Sequence, residues 1–316
     1  MRDAESPRTK QGALKRRVTV PVPLFGPSGI QRTGILTQKL ETPLASLLIA
    51  TAGARRRFLK PMVVMPAYNA EQTLEATVRD VPTGCVDSII LVDDASRDGT
   101  VALAERLGLT VIRHPETRGY GANQKSCYAE ALRRGADAVV MVHPDYQYDA
   151  FIVRPALDLL ASGCCDVVLG NRIRSRKAAL ESRMPIYKYL SNRVLTFVEN
   201  SVLGQNLGDC HSGFRAYTRD VLEAIPYERN SDDFVFDTQM IAQAAWFGFQ
   251  IGDLPVPCRY FAEASSINLW RSIVYGCATI GVMSQFLLQK AHLARFGIFQ
   301  RAQPRMMDRD RNDNPI

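Results

Sequence analysis

The sequence predicts an α/β fold, a mostly parallel central sheet with helices on both faces. Three apolar runs predict it, each ending in polar groups. Val63-Val64-Met65-Pro66 breaks into Ala67-Tyr68-Asn69-Ala70-Glu71, and Ile89-Ile90-Leu91-Val92 ends at Asp93-Asp94. Ala138 to Val142 ends at His143-Pro144-Asp145-Tyr146-Gln147. Strands this uniformly apolar belong to a sheet buried on both faces. Polar groups at successive strand ends put the chemistry on the sheet's carboxyl edge.

The elements follow in a regular rhythm from residue 61. A strand over 62–66 leads to a helix near 71–80, a strand over 88–92 to a helix near 99–107, and a short strand over 109–112 to a helix near 122–134. The strand over 138–142 is followed by a helix over 150–161 and a strand over 166–169. Such alternation requires right-handed crossovers that lay helices on both faces. The second half is less periodic. Met184–Val202 predicts a helix, Ser212–Ala216 a strand, Asp237–Trp246 a helix, Gln250–Pro255 a strand, and Ser266 to about Leu293 one long helix or two. Pro43–Ala54 predicts a further helix ahead of Arg55-Arg56-Arg57. The chain thus divides into a basic, partly disordered extension over 1–60, an α/β domain over 61–265, a helical segment over 266–300, and a polar tail over 301–316 expected to be disordered.

Of 316 residues, 46% are hydrophobic and 22% charged, the balance of a soluble globular protein with a sizeable core. The net charge of +7 is unevenly placed: residues 1–60 sum to +9 and residues 61–316 to −2. The basic excess therefore argues for no nucleic-acid partner of the folded body. It suits an anionic membrane surface or a merely solubilising tail. Seven cysteines at irregular spacings, with no CxxC pair, fit reduced thiols in a cytoplasmic protein. Ile273–Leu288 is apolar but interrupted by Gly276, Gly281, Ser284 and Gln285. It is too short to span a bilayer and predicts a buried helix or a segment lying on the membrane.

Glycine-rich nucleotide loops of the GxGxxG and GxxxxGK[ST] types are absent, which disfavours a dinucleotide fold or P-loop. Asp93 and Asp94 instead stand at a strand end, where a carboxylate can accept the N–H groups of a nucleobase. The alternative is an acidic turn in which Ser96 or Asp98 caps the next helix. Asp145 and Gln147 offer oxygens for a hard divalent ion, and His143 a nitrogen. A nucleoside diphosphate would complete a Mg²⁺ or Mn²⁺ shell.

In order along the chain stand Pro66-Ala67-Tyr68-Asn69, Asp93-Asp94-x-Ser96-x-Asp98-Gly99-Thr100, and Arg118-Gly119-Tyr120-Gly121-x-Asn123. The Asp145 turn, Gly170-Asn171-Arg172 and Ser212-Gly213-Phe214-Arg215-Ala216-Tyr217 follow. Over residues 61–270 this series resembles the family 2, GT-A-fold glycosyltransferases, nearest the dolichyl- or polyprenyl-phosphate sugar synthase branch. The resemblance implies an inverting, metal-dependent enzyme using a UDP- or GDP-linked sugar. Its acceptor would be a polyprenyl phosphate or, alternatively, a soluble or saccharide hydroxyl. It implies a cytoplasmic protein in peripheral contact with the inner face of the membrane.

Carried over, Pro66, Tyr68 and Glu71 border the base and ribose, with Glu71 one place beyond the usual glutamate, and Asp93 or Asp94 recognises the base. Gly119 and Gly121 let the backbone approach the nucleotide, and Arg118 and Lys125 reach phosphate. The metal motif Asp-x-Asp-x-Gln maps onto His143, Asp145 and Gln147, with histidine in place of the first aspartate. That exchange keeps a metal-free enzyme and a non-catalytic nucleotide-sugar binder as alternatives. A sugar nucleotidyltransferase would instead need a basic glycine-rich loop after the first strand. Asp237 stands where many relatives carry the aspartate of a catalytic Glu-Asp pair, Phe236 replacing the glutamate. Asp232 and Asp233 face the acceptor side, or one of the three carboxylates caps the helix that follows. A phosphate acceptor would call on Arg172, Arg215 and Arg259.

Overall fold

The computed structural model describes residues 56–173, 175, 177, 184–259 and 269–301. The helix expected over Pro43–Ala54, the partly disordered extension up to residue 55, and the tail expected to be disordered over 301–316, apart from residue 301, lie outside these residues. Seven strands form one sheet in the order β3-β2-β1-β4-β6-β5-β7. They are β1 (Pro61–Ala67), β2 (Ser88–Asp93), β3 (Thr110–Arg113), β4 (Ala138–Met141), β5 (Val167–Asn171), β6 (Arg215–Thr218) and β7 (Ile251–Pro255). Helices α1 (Glu71–Arg79), α2 (Thr100–Arg106), α3 (Tyr120–Arg133) and α4 (Val153–Ala161) alternate with the first strands. Then come α5 (Ile186–Leu203), α6 (Arg219–Ala224), α7 (Phe236–Trp246) and α8 (Leu269–Lys290).

The strands are apolar on both sides because both sides are covered. On β1, Met62 and Val64 join one core with Cys127 and Tyr128 of α3 and Met240 of α7, whereas Val63 and Met65 join the other with Leu74, Leu103 and Leu157. The sheet is parallel except for β6, which runs antiparallel to both β4 and β5. This reversal positions the site. It sets the start of β6, with Arg215 opposite Met141 and Leu169, beside the ends of β1, β2, β4 and β5. The expected strand over Ser212–Ala216 therefore shifts to 215–218. Residues 210–213 turn instead, because the Arg215 guanidinium donates back to the carbonyls of Cys210 and Ser212, each at 3.1 Å. The sequence reading also missed α6.

The long C-terminal stretch forms one helix, α8, and by length and composition it is apolar enough to cross a membrane. Val282, Met283 and Phe286 bury its inner side, where Phe286 meets Trp246 and Phe299 edge-on. A polar seam joins α8 to α5 and α7. Tyr275 meets His211 Nδ1 at 2.8 Å and Thr238 Oγ1 at 3.2 Å. His211 Nε2 stands 3.1 Å from Glu199 Oε2 without the alignment of a hydrogen bond. Burial raises the Glu199 carboxyl to about 8 and lowers the His211 imidazole to about 4, against the opposing pull of Asp209.

These two shifts act in overlapping pH windows, and above pH ~6.5 Glu199 acts alone. An unfolded glutamate titrates near ~4.3, so Glu199 binds its proton more tightly when folded. Its contribution is complete below that value and is lost as pH rises towards 8. His211 acts oppositely, removing stability as pH falls from ~6.5 towards 4. Between pH ~6.5 and ~8, then, the wild-type chain should lose about 1.5 kcal/mol to Glu199. Denaturant melts across that range should show the loss in wild type and its absence in Glu199→Gln.

Candidate active site

A cavity of ≈ 1170 Å³ opens along the carboxyl edge of the sheet. One end is lined by Pro66, Tyr68, Asn69, Asp94, Arg97 and Gly119. Its middle is lined by Tyr120, His143, Asp145, Gln147, Asp233 and Asp237. At the far end stand Arg172, Lys188, Asn192 and His211, with Arg271 and Tyr275 of α8.

The first end is a set of turns fastened to one another. Asn69, in the left-handed region at φ 50°, donates its N–H to Ser96 Oγ at 2.8 Å, and its own Oδ1 accepts from Arg97 N at 2.9 Å. Glu71 accepts from Gly99 N, while Asp98 accepts from Glu71 N and Thr100 N. Glu71 is thus a clamp between two turns, outside the cavity lining, and Asp98 rather than Ser96 serves the start of α2. Asp93 accepts from Ser96 N, and its Oδ1 is buried without a partner among the described residues. Asp94 reaches the cavity, yet both its oxygens are occupied: by Arg118 N and His114 Nδ1 on one, by Gly119 N on the other. His114 in turn meets Ser126 Oγ at 2.8 Å.

Gly119 and Gly121 do permit a close approach, but to protein backbone. Gly121 N donates to Asp232 O at 2.7 Å. A Cβ on Gly119 would stand 2.9 Å from that oxygen, and one on Gly121 would strike Ser231 O. Lys125 is spent on the same segment, donating to Asn230 O and to Asp232 Oδ1 at 2.6 Å.

The middle of the cavity is organised around Asp237. Tyr120 Oη donates to its Oδ2 at 2.8 Å, Gln124 Nε2 donates to its Oδ1 at 3.1 Å, and Arg215 Nε stands 3.6 Å from Oδ1. Arg215, wholly buried, also donates to the Asp237 carbonyl. Burial works against its charge, but Asp237 together with Tyr217 and Tyr120 outweighs that and raises it further. None of the three candidate carboxylates caps α7; Asp233 accepts instead from Phe234 N. His143 stacks on Tyr120 and is held towards its neutral form by burial, against the pull of Asp145 and Asp237.

In the turn after β4, Asp145 Oδ1 accepts from Gln147 N. Asp145 Oδ2 and the Gln147 side-chain amide have no hydrogen-bond partner among the described residues. Two oxygen donors on the cavity wall fit a Mg²⁺ or Mn²⁺ ion whose other ligands are substrate oxygens and water. Among the described residues there is no group of three or more His, Cys, Asp and Glu able to hold a metal.

Of the expected phosphate ligands, Arg172 lines the cavity but grips Asp209 through two bonds, at 2.7 and 3.1 Å. Burial would raise the Asp209 carboxyl, but Arg172 and Asn192 overcome it and hold it far below the usual range. Arg259 lies over the Tyr146 ring at 4.6 Å and 3.5 Å from Asp149. Sequence reasoning missed Tyr120, Gln124, His211 and Lys188. Tyr120, directly after a glycine at a helix start, carried the clearest signal. Lys188 lines the cavity with no ion-pair partner among the described residues, and burial and the Arg172 charge both lower its pKa.

Residues 62–225 match the family model described as glycosyl transferase family 2. Similar curated proteins include a dolichyl-phosphate hexose transferase of Haloferax volcanii, 30% identical over 65% of this chain and 86% of its own length. A UDP-N-acetylglucosamine–dolichyl-phosphate N-acetylglucosaminyltransferase of Methanococcus voltae is 23% identical over 67% of this chain and 92% of its own. Glucosyl-3-phosphoglycerate synthase from Mycobacterium tuberculosis, solved with Mn²⁺, UDP and phosphoglyceric acid, shares the fold. Its TM-score is 0.55 at 17% identity, over 75% of this chain and 80% of that one. The protein described here belongs to glycosyl transferase family 2, with the GT-A fold, in the branch of the dolichyl- and polyprenyl-phosphate sugar transferases.

Proposed function

We propose that this enzyme transfers a sugar, with inversion, from a UDP- or GDP-linked donor to a polyprenyl phosphate. The observation that carries the acceptor is the state of Asp237. A hydroxyl acceptor needs a base to take its proton during attack. Asp237 stands where that base is expected, but Tyr120 donates to one of its oxygens and Gln124 to the other, with Arg215 3.6 Å away, so neither oxygen is open to an acceptor's proton. Asp232 is tied to Lys125. A phosphate monoester is already ionised and requires a cation instead, which Lys188 supplies from the far wall. The names of the dolichyl-phosphate relatives support the same acceptor class.

In this reading Pro66, Tyr68 and Asn69 border the base, and the Asp94 turn shapes the wall beside it. Asp145 and Gln147 would hold the divalent ion, which supplies positive charge to the departing diphosphate. Lys188 orients the acceptor phosphate. One of its oxygens bonds to the anomeric carbon from the face opposite the diphosphate as the bond to the diphosphate breaks, and no proton need move.

A lipid acceptor is best met at a bilayer surface, and the far wall suits one. Ile186, Leu190, Val194 and Phe197 of α5 are exposed, as are Trp270, Ile273, Val274 and Ile280 of α8. The two helices carry one acidic residue, Glu199, and it is buried, while Arg193, Arg271 and Lys290 are exposed. An apolar face edged by cations favours peripheral contact with anionic lipid.

Asp145→Ala should lower kcat roughly 100-fold or more with the fold intact by circular dichroism. Asp233, exposed and on the cavity wall, separates the acceptor classes. With a polyprenyl phosphate acceptor Asp233→Asn should keep kcat within about threefold, whereas dependence on Asp233 as a base would cost about 100-fold. Lys188→Ala should raise KM for polyprenyl phosphate about tenfold and leave KM for the nucleotide sugar unchanged. In flotation assays the chain should bind phosphatidylglycerol vesicles, and Leu190→Glu with Ile273→Glu should abolish the binding.

A further inference from the structure

Asp94 sets the wall at the donor end of the cavity, and what its carboxylate has left to offer is decided by His114. Both residues are buried. A carboxylate only accepts, and has room for about four donors, two on each oxygen. On Asp94 Oδ1 both places are taken, by His114 Nδ1 at 2.7 Å and Arg118 N at 2.9 Å. On Oδ2 one is taken, by Gly119 N at 3.0 Å, so a single place remains on a residue that lines the cavity. The donors from Arg118 and Gly119 are backbone N–H groups, whereas the imidazole is a side chain that the sequence chose. Its ring is held from the far end as well, because Nε2 meets Ser126 Oγ at 2.8 Å. The backbone around the pair is fixed too: His114 N donates to Asp93 O, Asp94 N to Ala67 O, and Thr117 Oγ1 to Asp94 O. On the same wall the side chain of Arg97 is exposed, has no hydrogen-bond or ion-pair partner among the described residues, and can only donate.

We propose that His114 is a specificity-determining residue: by filling Asp94 Oδ1 it leaves the base a single acceptor, and so selects uracil over guanine. Uracil presents one ring N–H between two carbonyls, which calls for one acceptor flanked by donors. Guanine presents a carbonyl and then two adjacent N–H groups, which call for both oxygens of a carboxylate side by side. At Asp94 the guanine amino group finds no second acceptor. A buried donor left unpaired in this way costs roughly 10–100-fold in affinity. Tyr68, exposed on the same wall, can stack on either base and does not discriminate. The inference rests on the glycosyl-transfer reading and narrows its donor to a UDP-linked sugar.

Calorimetric titration of the full wild-type chain with UDP, GDP and inosine diphosphate, each with Mg²⁺, tests the selection without catalysis. Inosine diphosphate carries guanine's ring without the amino group. UDP should bind at least ~10-fold tighter than GDP, and inosine diphosphate at least about threefold tighter than GDP. GDP binding as well as UDP, or inosine diphosphate binding no better than GDP, overturns the inference and leaves the donor reading standing. Binding of none of the three overturns both. The part played by His114 is read from variants. An asparagine amide stands close to where Nδ1 stood, whereas a glutamine amide stands closer to Nε2. His114→Asn should therefore keep the preference for UDP, and His114→Gln should reduce it at least about fivefold with the melting temperature unchanged. An unaltered preference in His114→Gln, or equal weakening of UDP and GDP in both variants, marks a structural role and sinks the assignment. Ser126→Ala is milder and loosens only the far end of the ring, so it reads the same role if His114→Gln does not fold. It should lower the preference about twofold, and no change there counts against His114.

Discussion

A guanidinium with no exposed surface must be answered by charge and by hydrogen-bond acceptors, and the answer to Arg215 organises this molecule's centre. Its partners are the carbonyls of Cys210, Ser212 and Asp237 and, at 3.6 Å, the Asp237 carboxylate. Removing one member of such a buried pair costs about 3–5 kcal/mol, because the other is left uncompensated. The constraint acts on both sides of the sheet edge at once. It bends residues 210–213 into the turn that precedes the reversed strand, and it anchors the first turn of α7. Tyr120 and Gln124 of α3 then find Asp237 already fixed as an acceptor.

The parts of this fold that depend on local burial were legible in the sequence. Strands β1, β2 and β4 are apolar on both faces, and their polar ends marked the edge that carries the cavity. What escaped was anything that depended on strand direction. Nothing in Arg215-Ala216-Tyr217-Thr218 says that it runs against its neighbours, and only that reversal brings Arg215 to Asp237 and His211 to Glu199. Charged residues were accordingly assigned to a substrate that the protein keeps for itself. Arg215 and Arg172 were expected at phosphate but are bound to Asp237 and Asp209, and Lys125 is bound to Asp232. Lys188, a cation on the far wall, lies in a helix whose sequence showed only mixed tyrosines and basic residues. Glu71 was expected at the ribose and instead clamps Gly99.

The same distinction separates two kinds of carboxylate along the cavity. Asp94, Asp209 and Asp237 accept from internal donors on both oxygens and shape the backbone around them. Asp145 and Asp233 keep oxygens that no described residue occupies, and they face the space a ligand would fill. Chemistry at the sheet edge therefore rests on few groups, held in place by many.

The contact between the glycines at the head of α3 and the Ser231–Asp232 backbone has a mechanical consequence. With no side chain between them, Gly121 N and Asp232 O are joined directly at 2.7 Å, and Lys125 bolts the two segments a second time. The donor end and the acidic segment are thereby welded into a single rigid piece. On the opposite side α8 is joined to α7 and to the turn before β6 through Tyr275, Thr238 and His211. The cavity thus has one wall tied backbone to backbone and another tied through side chains, and the second carries the apolar outer face.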